Sequence, residues 1–123
     1  MDLEIDEPFW TVRRPELTFT FTVGDGQEPG TLDDGDVLIV GRDGERWCAN
    51  IMTQGRIQAI MDRWRRTGES LDGAYFWVQG LLIVREPGVE SMVRAVEDLF
   101  DAYGDLNGIL PQLGPADEED DDL

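Results

Sequence analysis

Lysine and histidine are absent from this chain of 123 residues, and cysteine occurs once. Without histidine, the side chain best suited to proton transfer near neutral pH is missing; without lysine, no Schiff base can form. Zinc sites built from cysteine and histidine are excluded by the same absences. Cys48 has no partner for an intramolecular disulfide and falls in a predicted strand, where a thiol acts as a small apolar group. A reducing, cytoplasmic setting is therefore expected. The serines, Ser70 and Ser91, lie outside any Gly-x-Ser-x-Gly turn. No apolar run approaches the ~20 residues that a membrane span needs, and the acidic start MDLEIDEPFW lacks an export signal, so a soluble, unanchored protein is expected.

What the chain has in excess is negative charge. Ten basic residues, all arginine, stand against 27 acids, a formal net charge of −17. Such a surface repels nucleic acid and anionic membrane, and attracts basic partners in a salt-dependent way. Two origins stay open: a proteome whose composition favours arginine and acids, or a surface shaped for a basic protein, nucleic-acid binders among them. Asp33-Asp34-Gly35-Asp36 has the acids of a cation loop but not its spacing, since Leu38 and Ile39 fall where oxygen ligands and glycine belong. An acidic turn is the commoner meaning, and no metal or other cofactor is expected. Gly24-x-Gly26 likewise lacks the further glycines or lysine of a phosphate cradle.

Periodicity divides the chain into an acidic N-terminal arm (1–16), a single α+β domain (17–113) and a disordered acidic tail (114–123). Leu17 to Val23 alternates without fault, with Leu17, Phe19, Phe21 and Val23 on one face and three threonines on the other. Val37 to Arg42 and Glu45 to Ile51 flank Asp43-Gly44, a strong hairpin signal; a two-residue turn would set Arg42 opposite Glu45 and Val40 opposite Trp47. Ala74 to Val78 and Leu81 to Val84, separated by Gln79-Gly80, predict a second hairpin, apolar enough to be covered on both sides. A first helix is predicted from Gln54 to Thr67, capped by Thr53 and Gly68, with Ile57, Ile60, Met61 and Trp64 lying on the sheet. A second, after Pro87-Gly88, carries Val89, Met92, Val93, Val96, Leu99, Phe100 and Tyr103 on one arc. The expected order is β-β-β-α-β-β-α: a small antiparallel sheet of about five strands with two helices packed on one face.

Four groups of residues are candidates for function. Phe9 and Trp10, behind Glu7-Pro8, form either a linear anchor for a partner or a pair that docks back and closes a sheet edge. Glu69 and Asp72, beside Tyr75 and Trp77, form the least implausible acid pair for acid-base work, or else simply build a turn. Arg63, Arg65 and Arg66 crowd the end of the first helix, where they cap its dipole or hold an anion; Asp62 and Arg66 are spaced for an ion pair. Asp117, Glu118, Glu119, Asp120, Asp121 and Asp122 form a block of like charge, suited to a basic partner or to the arginine island.

The run Arg63-Trp64, Thr67-Gly68-Glu69, Gly73-Ala74-Tyr75-Phe76-Trp77-Val78 and Leu81-Leu82-Ile83-Val84, followed by a helix with Glu97-Asp98-Leu99, resembles small uncharacterised proteins of high-GC actinobacteria. The resemblance covers about residues 17 to 110 and implies no activity, cofactor or functional residue. The residues themselves favour a non-enzymatic interaction module, an inhibitor, immunity-type or adaptor protein engaging a basic partner, with nucleic-acid mimicry as one route. A small carboxylate-dependent enzyme or ligand-binding domain using Glu69 and Asp72 is the first alternative. A structural subunit or homodimer joined through a sheet edge is the second.

Overall fold

A computed structural model describes residues 1–114. Five antiparallel strands come first: β1 (Leu3–Asp6), β2 (Phe9–Arg13), β3 (Leu17–Thr22), β4 (Asp34–Gly41) and β5 (Arg46–Thr53). Each pairs with the one before it, so the first half of the chain is an uninterrupted meander. Helix α1 (Gln54–Thr67), the short turn α2 (Glu69–Gly73), β6 (Leu81–Val84), helix α3 (Val89–Tyr103) and β7 (Gln112–Leu113) complete an α+β fold. β6 pairs with β5 in parallel, and β7 pairs with the start of β5 antiparallel.

The sheet is held by two rows of apolar side chains that cross it on one face. Val12, Phe19, Ile39 and Trp47 are successive cross-strand partners, and so are Trp10, Phe21, Val37 and Ala49; all eight are buried. Alternation puts every second residue of a strand on the same face, so a register that lines up four strands gathers one continuous core. Helix α3 covers it with Val89, Met92, Val93 and Val96. Gly35 belongs to that contact: a methyl group there would lie 3.1 Å from Met92 Sδ and 3.2 Å from the Phe21 ring.

The N-terminal segment, expected as an arm, is β1 and β2. Its strand character rests on the alternation of Trp10 and Val12, both buried, with the outward-facing Phe9, Thr11 and Arg13. The Asp43-Gly44 hairpin forms, but its register is one residue off the two-residue expectation. Ile39 rather than Val40 faces Trp47, Gly41 N donates to Glu45 O at 2.8 Å, and Gly44 takes φ +89. That is a three-residue loop closing on a left-handed glycine. Arg42 then misses Glu45 and lies 3.5 Å from Glu16 instead. The acidic stretch Asp34-Gly35-Asp36, expected as loop, already belongs to β4.

Helix α1 has the predicted bounds and caps. Thr53 Oγ1 accepts from Arg56 N at 3.1 Å, and Gly68 closes the helix in the left-handed region with its N–H on Trp64 O. Its apolar stripe is used differently from expectation: Ile60 is its buried residue and stands outside the main core cluster. Trp64 stacks on Phe76, ring centroids 5.6 Å apart and planes at 19°. The second hairpin does not form. Asn50 grips the intended turn, donating from N to Gly80 O at 2.9 Å and from Nδ2 to Gln79 O at 3.0 Å. The crossover through α1 therefore delivers β6 alongside β5, and Tyr75 to Val78 remain outside any strand.

Between the helices the backbone runs left-handed. Ser70, Leu71 and Asp72 have φ of 51, 54 and 60°, and Gly73 follows at 77°. Ala74 N closes the turn on Ser70 O at 3.1 Å and Leu71 O at 3.2 Å. α2 is thus a single left-handed turn, a conformation that costs L-residues roughly 1–2 kcal/mol each. Gly73 presses it against α1: a methyl group there would collide with the Met61 carbonyl and lie 2.9 Å from Arg65 N.

Candidate interaction surface

The fold separates residues that are neighbours in sequence. Trp10 is 2% exposed and lies in the core, whereas Phe9, one strand position away, is 45% exposed on the opposite face. The pair is not one anchor, because adjacent strand residues face opposite ways. Phe9 alone is open to a partner. Glu69 and Asp72 are exposed on the left-handed turn, with Leu71 between them at 77% exposure. Neither carboxylate lines any of the three hollows described below.

Arg63, Arg65 and Arg66 are exposed at the end of α1. The expected Asp62–Arg66 ion pair is replaced by two other contacts: Arg66 Nη1 is 3.5 Å from the Asp62 carbonyl, and the Asp62 carboxylate accepts from Gln58 Nε2 at 2.9 Å. The six acids from Asp117 to Asp122 lie outside the described residues, and so does any contact they make with this island.

Elsewhere several arginines are spent within the fold. Arg14 Nε meets Glu97 Oε2 at 2.8 Å, tying the β2–β3 turn to α3; this hydrogen bond and the paired charge raise the Arg14 pKa further. Arg13 pairs with Glu4 at 3.0 Å and Arg56 with Asp34 at 3.6 Å. The carboxylates greatly outnumber these partners. All the described acids except Asp33, Glu45 and Glu97 are exposed. Glu45 is half-buried, and that desolvation, with Asp43 and Asp105 nearby, pushes its carboxyl above the ordinary value despite a hydrogen bond from Asn107. Asn107 has a second task, since its Oδ1 accepts from Trp47 Nε1 at 3.0 Å.

Among the described residues, the surface carries open hollows, three of which stand out. One of about 1140 Å³ runs from Ile83 and Val84 of β6 to the outer side of α3. A second, of about 490 Å³, lies at the other end of β6 between Trp77, Leu81, Ile109 and Pro111. The third, about 340 Å³, borders Asp33, Asp34, Asp36 and Arg56. No cluster of His, Cys, Asp and Glu able to hold a metal occurs among the described residues, and no helix there is long and apolar enough to cross a membrane.

Sequence reasoning missed the surface around β6. Trp77 is 73% exposed and Ile83 51%, although their run is apolar enough to suggest complete cover. A usable signal was the chain length between β5 and β6, ample for a helical crossover and a parallel pairing that leaves one strand edge free. The chain matches no family model, no curated protein and no solved structure.

Proposed function

We propose that this chain is a non-enzymatic protein-interaction module, of the inhibitor, immunity-type or adaptor kind, whose acidic surface engages a basic protein partner. The observation that carries the reading is the imbalance of exposed charge. Several arginines are neutralised within the fold, while nearly all described carboxylates remain at the surface. A field of one sign accelerates encounter with an oppositely charged partner and disfavours like-charged ones. The Glu69/Asp72 alternative has no comparable support, because both groups stand on an exposed turn away from the hollows.

The test is to recover the tagged protein from its native host at low salt, identify what accompanies it and titrate the purified pair with salt. A basic partner whose affinity falls steeply between low and moderate ionic strength is the expected result. A partner that is not basic, or one held equally well in molar salt, would refute the proposal.

A further inference from the structure

β6 ends the sheet, and among the described residues no strand pairs with its outer side. Gly80 O is bonded to Asn50 N, so by alternation Leu82 and Val84 turn their backbone groups to β5, and Leu81 and Ile83 turn theirs outward. Among the described residues, no strand or turn bonds to the outward N–H or C=O of Leu81 or Ile83. The strand reads Leu-Leu-Ile-Val, without the charge or proline that commonly blunts an open edge.

Its surroundings are not neutral. Beyond the Arg14–Glu97 pair, the large hollow beside Ile83 and Val84 presents Glu86, Glu90, Asp98 and Asp101 against Arg85 and Arg94. Negative charge is thus in excess along the wall that α3 raises next to the edge. At the Leu81 end, the smaller hollow offers the exposed Trp77 with Ile109.

From this we infer that the outer edge of β6 is a docking groove for an extended basic segment of a protein partner. The segment adds as a further strand, bonding to Leu81 and Ile83, with its cationic side chains against the α3 acids and an apolar one at Trp77. Main-chain bonds to a sheet edge supply affinity, and the flanking wall selects the sequence. This inference rests on the proposed function and says where and in what form the basic partner is held.

The probe is a short fluorescent peptide of alternating arginine and valine, titrated by anisotropy, with hydrogen exchange followed at the amides of β6. Binding should slow exchange at Leu81 and Ile83, and a glutamate–valine peptide should not bind. Ile83→Pro removes an outward donor while leaving the β5 ladder intact, and should weaken binding by about tenfold or more. Should that variant lose its sheet, Asp98→Arg with Asp101→Arg, both exposed, should weaken binding comparably with the edge untouched. Binding that survives both variants, or leaves exchange at Leu81 and Ile83 unchanged, overturns the siting while the proposed function stands. Failure of the arginine–valine peptide to bind, with a basic native partner in hand, also overturns only the siting; a non-basic native partner overturns the function itself. A homodimer in sedimentation that Ile83→Pro dissociates would assign the edge to a second copy and refute the inference.

Discussion

Replacing Leu71 by glycine should stabilise this protein, which is unusual for the loss of a large apolar residue. Leu71 is 77% exposed, so its side chain contributes little burial. Its backbone stands at φ 54, ψ 51, a conformation that costs an L-residue roughly 1–2 kcal/mol and glycine almost nothing. Against this, glycine adds about 0.4–1 kcal/mol of unfolded-state entropy. The net expectation is a gain of about 0.5–1 kcal/mol in urea unfolding, read as a higher midpoint at unchanged slope. Asp72→Gly should be closer to neutral, since aspartate tolerates the left-handed region better than leucine. Gly73→Ala should do the opposite: a methyl group there meets the α1 backbone at Met61 and Arg65, which cannot yield as a flexible side chain could. A loss of at least about 2 kcal/mol is expected from strain and displacement together. If Leu71→Gly destabilises, or Gly73→Ala is harmless, the turn is not left-handed and the reasoning fails.

Two further predictions concern the Trp47 corner. Glu45 has a raised folded-state pKa, so ionising it costs the fold stability. That cost is absent below the ordinary glutamate value near 4.5, grows as pH rises toward the folded value, and stays constant above it. Glu45→Gln should therefore raise Tm at pH 7, with a difference that vanishes toward pH 3; a difference constant across that range would contradict the assignment. Asn107→Ala removes the acceptor of the buried Trp47 indole N–H and should cost about 1 kcal/mol by urea unfolding. No loss would mean that the bond does not restrain Trp47.

The parts of the fold that were legible share a property: a local signal decides them. Leu17 to Thr22 alternates strictly, α1 carries its own caps, and α3 has a full apolar arc, and each forms where expected. The illegible parts depend on pairings distant in sequence. Ala74 to Val84 has the composition of a hairpin, but Asn50 holds its centre and Trp64 draws Phe76 away, and neither can be seen locally. The hairpin register turned on whether Gly44 closes a two- or a three-residue loop: Asp-Gly favours the first, and a left-handed glycine also permits the second. The N-terminal strands were hidden because acids and prolines outweigh the two inward residues, Trp10 and Val12. Of the candidate residues, exposure separates Phe9 from Trp10, and the β6 edge emerges only from a parallel pairing that no short motif announces.

The order of elements also shapes how the chain is made. The meander through Thr53 builds the sheet from sequence neighbours, yet the helix that covers its oily side begins only at Val89. During synthesis, then, Phe19, Phe21, Ile39, Trp47 and Ile51 wait for a lid that leaves the ribosome dozens of residues later. Throughout that interval the nascent sheet is sticky on one side, and the like charges strewn over the rest of it hold neighbouring half-made copies apart.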